Sequence, residues 1–357
     1  MGYVIPLRFR SLETTQNMRQ DALIERFAVQ RRQTGDVFWL KENAEFLNIL
    51  QSFGRKVPHK ALTPLTQFYG SLERRLGFFP QYYRFILSIA LDLEDLGLLG
   101  DKAERAIDWV VGENLIASEL SDLQRAEARR LCQRRGRGPL CDDSNLDDRL
   151  RAFGSRRETF AIPNQKAACE LCHIVFYLSQ YGRIKPELPP EFIDSLHFAG
   201  TLAFLELNID LLSEVCIALH FAAGAVPDIW QNWLFAQKQG CQITVDDFDW
   251  ASDDYHPYLM VNCFAGLVGK TAFANAIPEG SVCFHVPKFE RVPLHEISQC
   301  LYKMGGARAA DWPAMRRVLD GVLSVQAREI VRAAESAVDF EVFFAEFSRS
   351  HLQGPKI

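Results

Sequence analysis

The sequence predicts an all-α protein made of antiparallel helical hairpins, packed as an array, a ring or an irregular bundle, with little or no β-structure. Three observations predict it. Apolar residues recur at helical spacing in one segment after another, prolines open those segments while glycines close them, and strand-like alternation is scarce.

Asp36 is placed to cap a helix that carries Phe38, Leu40, Phe46, Leu47 and Leu50 and stops at Gly54. Pro80 opens a second, with Tyr83, Ile86, Leu87, Ala90, Leu91 and Leu93 on its apolar side and Gly97 at its end. Pro163 precedes a third, from about Lys166 to Tyr181, closed by Gly182. Pro189 and Pro190 open a long helix that the uninterrupted apolar run carries to Gly224. Pro257 falls in the first turn of one that ends near Gly269, and a last helix or pair spans Trp312 to Phe347. Only Ser281 to Val292 alternates, weakly, and Pro287 interrupts it, which reads as a short hairpin or an extended loop.

Gly54, Gly97, Gly138, Gly182, Gly224 and Gly269 stand 41 to 45 residues apart, the period of a stacked helical-hairpin unit. Side-chain similarity between these units is slight, so an irregular bundle stands beside the repeat as an equal reading. The clearest boundary is the segment 134–157, where arginines, glycines and aspartates mix as in a solvated loop. It divides the chain into an N-terminal helical half, 1–133, and a C-terminal half, 158–357, which carries the candidate site; a single continuous domain fits as well.

Composition narrows the function classes. A hydrophobic share of 48% with 24% charged residues is ordinary for a globular protein. A formal net charge of −5 offers no general attraction to nucleic acid or to an anionic membrane surface. Phe198 to Gly224 is long enough to cross a bilayer, but Glu206, Asp210 and Glu214 fall inside it, so a buried helix is expected and not a membrane span. Met1 to Arg10 lacks the pattern of a secretory leader. Nine cysteines, most of them inside apolar segments, suit reduced thiols, and the expected location is the cytoplasm.

Three kinds of motif could carry chemistry. Cys169, Cys172 and His173 spell the haem-attachment pattern, but the apolar run Ile174 to Leu178 follows directly. Covalent haem is therefore not expected, and buried structural thiols are. Glu170 and His173 form Glu-x-x-His, the unit that di-iron and di-manganese bundles use in pairs. Asp194 with His197, and Asp253 with His256, repeat the spacing with a shorter acid. Each has a plainer explanation: Asp194 suits a helix first turn, and Asp253 or Asp254 suits the cap of the Pro257 helix. Glu206, Asp210 and Glu214, spaced by four, form one stripe on an α-helix. The stripe either faces solvent, meets arginines such as Arg84 or Arg183, or lines a cavity and supplies oxygen ligands. Asp92 to Asp95 and Asp246 to Asp249 are acidic but lack the spacing of diphosphate-binding motifs.

Two functions follow as expectations. One is a metal-dependent enzyme acting on a small molecule or peptide, with Asp210 and Glu214 as catalytic carboxylates and Glu170, His173, Glu206, Asp254 and His256 as metal ligands. Such a histidine–carboxylate set suits a divalent ion, namely iron, manganese or zinc. The other is a non-catalytic helical scaffold that binds a partner protein along a concave surface.

Overall fold

The computed structural model describes residues 12–137, 143–245 and 253–349, and these residues are all-α apart from one two-stranded sheet. Met1 to Arg10, Gly138, Cys141, Asp142 and the acidic cluster Asp246 to Asp249 lie outside them.

The chain divides into two compact units. The first comprises Met1–Ala106, Gln242–Asp254 and Ala265–His285. Its main pairing sets the Val37–Ser52 helix against the Tyr83–Leu96 helix. Both form as their sequences direct: the Asp36 carboxylate accepts from the Phe38 N–H, and Gly97 ends the second at φ +125°, a conformation that L side chains rarely adopt. Trp39, Phe46, Leu47 and Leu50 on one side and Ile86, Leu87, Ile89 and Leu93 on the other are buried. Each such side chain contributes about 1.5–3 kcal/mol of hydrophobic stabilisation. Phe27 stacks on Phe284 at 5.6 Å and tilts against Phe46 at 5.0 Å, which joins the helices to the sheet of this unit.

That sheet pairs strand β1, Gln242–Val245, with strand β2, Val282–His285, in antiparallel register from Gln242–His285 to Val245–Val282. The alternating segment beginning at Ser281 is therefore not a local hairpin. Its strand covers only Val282 to His285, and its partner lies some forty residues earlier. Val282, Cys283 and Phe284 are all buried, so burial and not local alternation selects this strand.

The second unit comprises Ile107–Cys241, Tyr255–Phe264 and Val286–Ile357. At its centre the Gln165–Leu178, Pro190–Leu205 and Ile209–Phe221 helices pack on one another. The Asp122–Gln133 and Leu146–Gly154 helices lie against the first of these, and the Asp228–Gln239 and Val325–Ala337 helices cover the hairpin of the other two. The Asn164 side chain caps the Gln165–Leu178 helix by accepting from the Ala167 N–H. Gly182 follows its end at φ +81°, and a Cβ there would meet the Phe221 ring at 2.6 Å. No larger residue fits that position without moving Phe221.

Three expectations need correction. The long helix expected from Pro190 to Gly224 is two helices, broken at Glu206 to Asn208. Leu207 takes a left-handed φ of +53°, the Asn208 N–H donates to Ala203 O at 2.9 Å, and the Asn208 side chain accepts from the Leu211 N–H at 3.0 Å. One helix thus ends and the next begins within three residues. Part of the segment expected as a solvated loop is the Leu146–Gly154 helix, because Leu146 and Leu150, one turn apart, are buried. The Arg149 guanidinium bonds the carboxylates of Asp122 and Asp143 and so fastens that helix to its neighbour. The terminal segment is three helices: Trp312–Asp320, Val325–Ala337 and Phe340–Phe347. Among the described residues no helix is long and apolar enough to cross a membrane.

Candidate metal centre

The break after Glu206 decides what the acidic stripe becomes. Asp210 and Glu214 share the Ile209–Phe221 helix, four residues apart and therefore on one face. Asp210 sits in its first turn, where the helix dipole favours an anion. Glu206 ends the preceding helix and is exposed. It borders a cavity of about 190 Å³ with Phe160, Gln165, Ala168 and Leu211.

His256 arrives from the first turn of the Tyr255–Leu267 helix, positioned by the neighbouring Pro257. Its Nδ1 lies 2.7 Å from Asp210 Oδ1 and 2.9 Å from Oδ2. Its Nε2 points the other way and lies 3.7 Å from Glu214 Oε1. One carboxylate thus faces each ring nitrogen. The Asp210 carboxylate accepts from Nδ1, and Nε2 is the ring nitrogen that faces Glu214. The Glu214 side chain is 3% exposed, against 22% for His256 and 30% for Asp210, so the cluster is closed at its glutamate end and open at the other. Among the described residues, Asp210, Glu214 and His256 bring ligand-type atoms within 4.8 Å of one another.

The remaining expected ligands lie elsewhere. Glu170 and His173 are on the Gln165–Leu178 helix, and neither joins the cluster. The His173 ring stacks on Tyr177, 5.9 Å away and nearly parallel, and meets the edge of Phe176 at 5.6 Å. Asp254 donates its backbone N–H to Phe284 O and belongs to the first unit. Asp253, offered above as a helix cap, instead binds the buried Arg31 guanidinium at 2.7 Å and accepts from the Phe284 N–H. Asp194 pairs with Arg157 at 3.8 Å, and His197 Nε2 lies 3.3 Å from Ala225 O.

One group near the cluster was read from sequence only as a structural thiol. Cys169 stands on the Gln165–Leu178 helix, which packs against the Ile209–Phe221 helix that carries Glu214. Burial pushes its thiol well above the usual range, and the negative charges of Glu214, Asp210 and Glu170 push it the same way. Cys172 and Cys216 are fully buried, and burial raises both thiols, with Glu214 adding to the shift at Cys172.

Three side chains from two helices, Asp210, Glu214 and His256, place ligand atoms close enough together that they could hold a divalent cation. A family model described as a domain of unknown function (DUF6902) matches residues 1–350. No curated protein and no solved structure matches the chain.

Proposed function

The chain belongs to the DUF6902 family, and from that premise and the geometry of the cluster we propose that it is a divalent-metal-dependent enzyme acting on a small molecule or peptide. Glu214 and His256 Nε2 bind the ion, and Asp210 holds the imidazole in register through Nδ1. The observation that carries this reading is the 3.7 Å between Nε2 and Glu214 Oε1. It is too long for a hydrogen bond, and it is close to the ~3.3 Å that separates two ligands bound at ~2 Å to one tetrahedral ion. A carboxylate on the far nitrogen of a ligating histidine is the usual arrangement around bound zinc.

The ion would polarise a substrate oxygen or lower the pKa of a bound water. The partial exposure of Asp210 and His256 leaves that side open to substrate, and Asp210 keeps the imidazole oriented toward the ion. Zinc, iron and manganese all suit oxygen and imidazole donors.

The test is metal analysis of protein purified without a metal-binding tag, then incubated with zinc, iron(II) or manganese and desalted. About one ion per chain is expected. H256A should lose it, and D210N should bind it roughly 10–100-fold more weakly, both with unchanged helical circular dichroism. Wild-type protein that stays metal-free, or H256A that retains the ion, overturns the proposal. The non-catalytic scaffold that binds a partner protein then becomes the better reading.

A further inference from the structure

We infer that the second unit holds a binding site for a free apolar α-amino acid, in a pocket apart from the proposed metal centre. The pocket, of about 500 Å³, lies where the Arg157–Phe160 and Pro190–Leu205 helices meet the turn at Ala225 to Pro227 and the junction of the Val325–Ala337 and Phe340–Phe347 helices. That volume falls within the range of small-molecule sites. Four polar side chains line it, those of Arg157, Asp194, His197 and Asp339, and the remainder is apolar, Phe198 and Val342 included. Asp194 and His197, three residues apart on one helix, are an acid–histidine pair that the metal cluster does not use.

The four polar groups suit the two charges of an amino acid. An ammonium group has three N–H donors to satisfy, and a carboxylate fits the fork of a guanidinium. Asp194 is one acceptor. His197 donates from Nε2 to Ala225 O at 3.3 Å, which leaves Nδ1 of the neutral ring as a second. Asp339 accepts from the Val342 N–H through one oxygen at 3.2 Å, and its other oxygen, the third acceptor, has no hydrogen-bond partner among the described residues. Arg157 is the one cation of the lining.

The Arg157–Asp194 contact sets how far apart the ligand charges stand. At 3.8 Å it is too long for a hydrogen bond, and the side chains are 41% and 48% exposed, so the pair stabilises little and neither group is satisfied by the other. A ligand that offers ammonium to Asp194 and carboxylate to Arg157 must carry both charges close together, as on one α-carbon. A dipeptide separates them by several more bonds. The apolar lining then takes the side chain.

The experiment is isothermal titration calorimetry of the full chain in EDTA, which removes any metal-bound amino acid from the signal, with leucine, methionine and phenylalanine as probes. At least one should bind at one site per chain. For the tightest probe, the analogue without the carboxylate, the analogue without the amino group and the glycyl dipeptide should each bind roughly tenfold more weakly or worse. R157A and D194N alter half-exposed side chains and should weaken binding by the same factor with unchanged helical circular dichroism. H256A should bind the probe as the wild type does. No heat from any of the three at millimolar concentration overturns the inference, as does an amine or an acid that binds as well as the amino acid, or either pocket variant that binds like wild type. Loss of binding in H256A would also overturn it, because the amino acid would then sit at the metal centre.

Discussion

Arg31 shows how a single buried charge is made tolerable. Its side chain has no solvent exposure, and its guanidinium meets Glu42 at 3.0 Å and Asp253 at 2.7 Å while also donating to Val282 O. Arg32 adds a second cation on Glu42 at 2.9 Å, so two cations face two carboxylates. The rings of Phe284 and Phe27 lie 4.9 and 5.4 Å from the Arg31 guanidinium carbon. Removing one member of such a set strands the others without water, at a cost of about 3–5 kcal/mol. R31A should therefore lower the free energy of urea unfolding by that amount. A change under about 1 kcal/mol would mean that water reaches the pair and that the charges are screened. Sequence could not disclose this network, because Arg31 and Asp253 are 222 residues apart.

At the scale of elements, the turn at Glu206 to Asn208 matters most, because it separates Glu206 from Asp210 and starts the helix that carries the site. The apolar run from Phe198 to Gly224 hides it. Leu207 is buried and contributes to that run even though it occupies the left-handed region. One legible sign was present, since Asn208 before Ile209-Asp210 is a good helix start. N208A removes the acceptor for the Leu211 N–H and should cost about 0.5–2 kcal/mol, while N208D should recover most of the loss. If the metal reading holds, N208A should also weaken metal binding, because Asp210 sits two residues on. Thermal unfolding of the three proteins, with and without zinc, checks both. Equal stability of N208A and wild type would show that the cap contributes nothing.

On the scale of the molecule, the thiols report how tightly the core is closed. Cys172, Cys216 and Cys263 are buried, and burial raises all three thiols, Cys263 to about 12. Cys300 is partly exposed, and burial raises its thiol while Lys303 opposes the shift. Reactivity follows thiolate fraction and access. Alkylation of native protein followed by mass spectrometry should therefore label Cys300 well before the other three. Those three should react only at denaturant concentrations that unfold the chain. Early labelling of Cys172 or Cys216 would mean that the Gln165–Leu178 and Ile209–Phe221 helices separate locally without global unfolding.

The sequence by itself determined the helical class and the positions of several helix starts. Periodicity, Asp36 and the glycines at 54, 97 and 182 act within a few residues of themselves, and such local effects survive in whatever the rest of the chain does. It also placed Asp210 and Glu214 on one face, since a spacing of four residues fixes that on any α-helix. Tertiary structure alone decided which residues meet them. Glu170, His173 and Asp254 have the same chemical types and helical spacings as the residues that do, yet the structure brings His256 to Asp210, 46 positions away along the chain. Spacing along a helix records which side chains share its face. Which helix lies opposite that face depends on how whole apolar surfaces pack, and no short motif carries that information.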